Sequence, residues 1–187
     1  MTAFSYSARP AKHVVRELLS EACRRLSPIG APTEYRYVGF GGLEYIDFVL
    51  FRRSLGVERM ISIEQDTARR SRYEFNLPFS GIELLSGVAS VRLPDIDWRE
   101  LSIVWLDYEA PVTAEIVSDL AFLAQELIPG SVLIITSNAA TPKPADQRRR
   151  TLVQNVGEEL VPPRVTDDTL ARWGWAAAQR DIALAGC

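Results

Sequence analysis

The run Tyr35-Arg-Tyr-Val-Gly-Phe-Gly-Gly-Leu-Glu-Tyr-Ile-Asp-Phe48, followed by Met60-Ile-Ser-Ile-Glu64, constrains the fold more than any other part of this chain. An aromatic and β-branched segment enters a glycine turn, an amphipathic stretch follows, and a second apolar segment ends on a carboxylate. Such a β-α-β unit suits an adenosine-type ligand, because glycines admit close backbone approach and the acid after the second strand accepts bonds from ribose hydroxyls.

Strand and helix signals alternate onward from this unit. Strands are expected near 35–39, 59–63, 82–86, 102–106 and 131–136, and helices near 43–55, 66–75 and 112–127. Ile103-Val-Trp-Leu106 and Val132-Leu-Ile-Ile135 are unbroken apolar runs, as strands buried on both faces require. The pattern predicts an α/β, Rossmann-like, doubly wound and mostly parallel sheet. Residues 1–33 read as an arm and a helix, 34–138 as the core, and 139–187 as a helical tail, either part of the same domain or an association element. In the first helix Val14, Val15, Leu18, Leu19, Ala22, Cys23 and Leu26 recur at helical spacing. Helical character is also expected over 148–160 and 167–184.

Composition narrows the functional classes. The 187 residues carry a net charge of −3, so no global basic field draws nucleic acid or an anionic membrane. Arg69-Arg70-Ser-Arg72 and Arg148-Arg-Arg150 read as solvated helix faces, the second keeping a weakly supported nucleic-acid option open. Cys23 and Cys187 stand in no metal-ligand spacing, and His13 is the only histidine; no metal site is expected. Cys23 reads as a small buried hydrophobe. With no secretory signal core or membrane-length apolar run, a cytoplasmic location is the expectation.

Candidate site residues fall at the ends of strands. Gly39, Phe40, Gly41 and Gly42 form the first turn, and Glu64 stands about 23 residues beyond the glycines, where a ribose-binding acid belongs. Gln65 follows it, and Asp66 reads as a helix cap. Trp105-Leu-Asp107-Tyr108 ends the fourth strand with a carboxylate and a phenol suited to substrate chemistry. A competing reading makes Asp107 a cap for the next helix, a task Thr113 also fits. Phe75-Asn-Leu-Pro-Phe79 reads as a loop that ends one helix before the third strand.

With these residues in view, the chain resembles class I S-adenosylmethionine-dependent methyltransferases over about residues 33–138, and more narrowly a bacterial O-methyltransferase-like group. The resemblance rests on Arg9-Pro-Ala-Lys12, Tyr37-Val-Gly-Phe-Gly41, Leu55-Gly-Val-Glu-Arg-Met-Ile-Ser-Ile-Glu64 and Trp105-Leu-Asp-Tyr108. It implies S-adenosylmethionine as cofactor, Gly39 and Gly41 around its amino-acid moiety, and Glu64 on the ribose. Ser86 and Gly87 would lie near the adenine, and Asp107 and Tyr108 where cofactor and acceptor meet. The sequence departs from the pattern at Tyr37, where an acid is usual, at Leu43 in place of a third glycine, and at Ser86-Gly87, where a carboxylate is common. It also lacks a signal for the usual C-terminal strand pair, which would leave a sheet edge to be covered.

The leading expectation is methyl transfer to an oxygen or nitrogen of an unidentified acceptor, with a homodimer or protein partner engaged through the tail. The alternatives are a Rossmann-like nucleotide- or partner-binding module without catalysis, and a nicotinamide-dependent oxidoreductase. The last fits poorly, because Glu44 occupies the final position of the Gly-x-Gly-x-x-Gly pattern.

Overall fold

In a computed structural model, which describes residues 10–186, the chain forms two compact units. Of the described residues, the first comprises those up to 106 with 127–134, and the second 107–126 with those from 135 on. The arm over 1–9, with Arg9 of the resemblance motif, and Cys187 lie outside the described residues.

The first unit is built on a sheet. Its strands are β1 (Arg36–Gly39), β2 (Met60–Glu64), β3 (Ile82–Ser86), β4 (Ser102–Asp107) and β5 (Val132–Thr136), with the terminal residues Asp107, Ile135 and Thr136 counted in the second unit. They lie in the order β3-β2-β1-β4-β5, and β1 runs parallel to both β2 and β4 while β2 runs parallel to β3. This is the five-stranded parallel sheet of a Rossmann-like α/β fold, as the alternating signals predict. Among the described residues no strand follows β5. The strand order reverses between β1 and β4, which is where open α/β sheets bind ligands at their carboxyl ends.

Both faces of the three central strands β1, β2 and β4 are buried, whereas β3 and β5 at the edges are mostly half-buried. Tyr37, Met60, Ile82, Ile103 and Trp105 share one core with Phe48, Phe51 and Leu55 of α2 (Ile46–Leu55) and Cys23 of α1 (Pro10–Arg24). The alternate positions Val38, Ile61, Ile63, Val104 and Leu106 are equally buried. Tyr37 meets Phe48 edge-on with centroids 4.8 Å apart and lies 4.6 Å from Phe51. Each such buried ring contributes roughly 1.5–3 kcal/mol.

The helix α1 departs from the reading of its sequence. Cys23 is buried and Leu19 and Leu26 pack on the core, but Val14, Val15 and Leu18 are exposed while Arg16 and Ser20 are buried. The reason lies in α2: Asp47 accepts from the Arg16 guanidinium, and Ser20 and Ser54 share a hydrogen bond of 2.6 Å. These two buried contacts set which side of α1 faces inward.

Other boundaries shift for local reasons. The turn before α2 runs on to Tyr45, which takes a left-handed conformation (φ 49°), so the helix begins at Ile46 rather than 43. Gly56, also left-handed (φ 72°), ends it. Residues 67–69 form a 3-10 turn before α3 (Arg70–Phe75). Asp66 makes no capping bond there and pairs instead with Arg69 at 3.1 Å, which corrects the expected cap. A short helix, α4 (Ala89–Arg92), adds an element the sequence reading lacks.

The second unit is helical, with α5 (Ala114–Glu126), α6 (Arg148–Val156) and α7 (Trp173–Ala185). Thr113 caps α5, its hydroxyl accepting from the Ile116 amide at 3.3 Å. Gly157 (φ 92°) stops α6 short of the expected end at 160. Thr166 and Thr169 bond each other in a turn, so α7 starts at Trp173 rather than 167. Ile116, Leu120, Leu123, Leu152, Val156, Trp175 and Ile182 are among the buried apolar residues of this unit. Gln179 ties it together, accepting from the Val112 amide at 2.6 Å and donating to the Asn138 carbonyl at 3.3 Å.

Candidate active site

The carboxyl ends of β1, β2 and β3 gather most of the expected cofactor residues. Gly39 pairs in register with Ser62, and Glu64 with Ser86, so the glycine turn, the acid and the Ser86-Gly87 turn are neighbours across three strands. Phe40 and Gly41 are half-buried, while Gly42 and Gln65 are exposed.

Glu64 is the centre of this arrangement. Only 5% exposed, its Oε1 accepts from the Gly41 amide at 2.8 Å, the Gly42 amide at 2.9 Å and the Ser62 hydroxyl at 2.7 Å. Ser62 Oγ also accepts from the Gly41 amide at 3.2 Å. Burial pushes the Glu64 carboxyl above its ordinary value, against the opposing bonds from Ser62 and then from Gly42 and Gly41. Among the described residues no donor reaches Oε2, so one carboxylate oxygen holds the turn and the other is left for a further donor.

The turn itself is held by side chains that sequence reasoning missed. Tyr45 donates its hydroxyl to the Tyr73 carbonyl at 3.2 Å, and burial pushes that phenol up to about 12. A Cβ on Gly41 would sit 2.5 Å from the Tyr45 ring and 2.7 Å from Ser62 Oγ. A Cβ on Gly39 would sit 2.7 Å from the Tyr37 hydroxyl. Glycine is therefore required at 39 and 41 by the protein's own packing. Gly42 differs: its φ of +58° favours glycine, and nothing lies within 4 Å of where a Cβ would stand. Asn76 donates to the Leu43 carbonyl at 2.9 Å, anchoring the far side of the turn. Ser62 carried a legible signal, since it stands two residues before Glu64 and so on the same strand face. Tyr45 and Asn76 carried none.

The third strand end has an unmet hydrogen bond. Ser86 Oγ is buried with no partner among the described residues, while the Ser86 carbonyl accepts from Arg92 Nε at 2.8 Å. The Gly87 amide donates to the Glu64 carbonyl at 2.9 Å. Gly87 has φ 140°, and a Cβ there would meet Arg92 Nε at 2.8 Å. A buried hydroxyl without a partner is costly, which fits a polar ligand group completing it.

Asp107 and Tyr108 belong to the second unit. Asp107, the last residue of β4, accepts a short hydrogen bond from the Thr136 hydroxyl. Tyr108 donates to Asp119 of α5 at 2.7 Å, and Asp119 is 5% exposed. Burial, reinforced by Asp119, pushes the Tyr108 phenol far up. The Tyr108 hydroxyl is thereby held as a donor to Asp119.

Members of both basic clusters are tied into the protein. Arg70 pairs with Glu74 at 2.7 Å, and Arg149 pairs with Glu158 at 2.5 Å while its amide donates to Asp167 at 2.7 Å. His13 is exposed, 4.0 Å from Glu17. No described helix is long and apolar enough to cross a membrane.

A comparison with curated proteins finds no match. A family model described as "Putative O-methyltransferase" matches residues 4–185, nearly the whole chain, and its methyl-transfer chemistry agrees with the Rossmann-like sheet and the acid-anchored glycine turn. The chain belongs to that O-methyltransferase family.

Proposed function

We propose that this protein transfers a methyl group from S-adenosylmethionine to an oxygen of an acceptor molecule. The observation that carries the reading is the assembly of Gly41, Gly42, Glu64 and Ser86 at three adjacent parallel strand ends, with one carboxylate oxygen and one buried hydroxyl unmet.

The residues present fit the cofactor. Gly39 to Gly42 would take its amino-acid end, Glu64 Oε2 the ribose hydroxyls, and Ser86 with Gly87 the adenine edge. When bound, the cofactor supplies an electrophilic methyl on a positively charged sulfur. The protein's own task is positioning, since held reactants gain rate mainly through proximity and orientation. Gly42 keeps the backbone open for close approach. Ser62 and the two glycine amides hold Glu64 in one rotamer. In the second unit Asp107, itself oriented by Thr136, is assigned to hold the acceptor hydroxyl and take its proton as the O–CH3 bond forms, and Tyr108 to orient it as a neutral phenol.

One observation favours a second reading, a Rossmann-like module without catalysis. Tyr37, Tyr45 and Ser62 already explain the small residues at 39 and 41, and Glu64 Oε1 is already engaged by the turn. The two readings separate in amide NMR spectra recorded during addition of S-adenosylhomocysteine. Saturable shifts at Gly41, Gly42, Ser86 and Gly87 support cofactor binding. A folded sample in which these amides do not move overturns it.

A further inference from the structure

The opposite, amino-terminal ends of the first strands hold a feature that methyl transfer does not use. Arg36, the first residue of β1, is only 8% exposed, yet among the described residues no carboxylate lies within ion-pair distance of it. Its Nη2 donates to the Asp97 carbonyl at 2.5 Å and contacts Ser102 Oγ at 3.4 Å. Its guanidinium stands 5.6 Å from the centre of the Trp98 ring, and its Nε is buried without a partner. A buried charge with no carboxylate in contact is unfavourable, so a fold that keeps one needs a reason.

Arg36 opens on a cleft of about 580 Å³, also lined by Arg52, Arg59, Glu58, Glu83 and Glu100. The charges there sort themselves. Arg59 pairs with Glu100 at 2.7 Å, and Arg52 approaches Glu58 at 3.8 Å while lying over the Phe79 ring. What remains is one buried cation, Arg36, and one exposed carboxylate, Glu83, which makes no ion pair among the described residues. Burial, and then Arg59, pull the Arg36 pKa down, while Glu100, Asp97 and, most weakly, Glu83 oppose them from beyond contact distance. A polyanion such as phosphate would face three glutamates in this lining. A molecule bearing one carboxylate and one ammonium answers both residual charges.

We infer that this cleft is a second ligand site, separate from the glycine turn, which takes a small amino carboxylate with its carboxylate on Arg36 and its ammonium toward Glu83. Planar carboxylates match the guanidinium fork, and a neutral pair of charges matches the lining.

The test follows the Arg36 Nε–H resonance and the Gly41 and Gly42 amides by NMR in the full chain. Three probes are added separately: L-glutamine, N-acetyl-L-glutamine without the ammonium, and L-glutaminamide without the carboxylate. L-Glutamine should shift Arg36 saturably while Gly41 and Gly42 stay put, and both analogues should bind roughly tenfold more weakly or worse. Glu83→Gln, an exposed substitution that leaves the fold intact, should bring L-glutamine down to the level of the N-acetyl analogue. Arg36→Lys, checked for folding by its amide spectrum, should lose the saturable shifts that L-glutamine causes at the Arg59 and Glu83 backbone amides of the cleft lining. No saturable shift at Arg36, equal binding of the N-acetyl analogue, or shifts confined to Gly41 and Gly42 would each overturn the inference.

Discussion

Ser62→Ala tests whether Glu64 is held in place by the bonds described above. Ser62 is fully buried and donates to Glu64 Oε1 at 2.7 Å. The substitution removes one hydrogen bond to a charged acceptor, worth about 1.5–3 kcal/mol. The Gly41 amide keeps its bond to Glu64 at 2.8 Å, so no backbone donor is orphaned and the cost stays within that range. The pH dependence sharpens the test. Burial holds the Glu64 carboxyl above its ordinary value of 4.5, so the folded state binds more protons than the unfolded state between the two values. Stability attributable to this group is therefore highest below 4.5 and falls as pH rises through the window up to the folded value. The Ser62 bond is the largest influence holding that upper edge down, and its loss moves the edge higher. The deficit of Ser62→Ala should thus be small in acid and open toward neutral pH. Urea denaturation reads it directly, because about 2 kcal/mol displaces the midpoint by roughly 1 M at ordinary slopes. In a Glu64→Gln background the same substitution should cost about 1 kcal/mol less. An equal cost at every pH, or in both backgrounds, would refute the account of the clasp.

Further outcomes follow from the same contacts. Gly41→Ala should destabilise by about 1–3 kcal/mol through collision with the Tyr45 ring, read as a fall in thermal midpoint. Gly42→Ala meets open space and should cost about 1–2 kcal/mol from its left-handed backbone alone, while weakening S-adenosylhomocysteine binding in a calorimeter. Tyr108→Phe removes the donor to buried Asp119 and should cost about 1–3 kcal/mol in urea. That deficit should grow as pH rises, because burial already pushes the Asp119 carboxyl up and the Tyr108 bond opposes it. Burial raises the Cys23 thiol to about 11, so in a Cys187→Ser variant iodoacetamide should label it at mildly alkaline pH only after unfolding, as mass spectrometry would show.

The strands were legible because their chemistry is local. Val-Leu-Ile-Ile-Thr136 and Ile-Val-Trp-Leu106 announce strands without reference to anything distant, and each observed strand lies within a residue of its expected ends. Of these two, only β4 is buried on both faces, while β5, at the sheet edge, is half-buried throughout. Glu64 was legible too, since spacing alone sets an acid after the second strand. What sequence could not show are the effects decided by residues far apart in the chain. The inward side of α1 follows from Asp47 and Ser54 on α2, which outweigh the exposed Val14 and Leu18. The need for glycine at 41 comes from Tyr45 in an unusual backbone conformation, which no local pattern announces. The helix α4 is four residues long and followed by Pro94, too short for a periodic signal. That Arg36 is buried without an ion-pair contact became visible only when its surroundings were in place.

Calorimetric titration of S-adenosylmethionine and S-adenosylhomocysteine into the purified protein, with Glu64→Ala in parallel, tests the central claim most directly. The account predicts micromolar binding of both ligands and its loss in the variant, whose folding is checked by circular dichroism. No heat from a folded wild-type sample, or undiminished binding by folded Glu64→Ala, would contradict it.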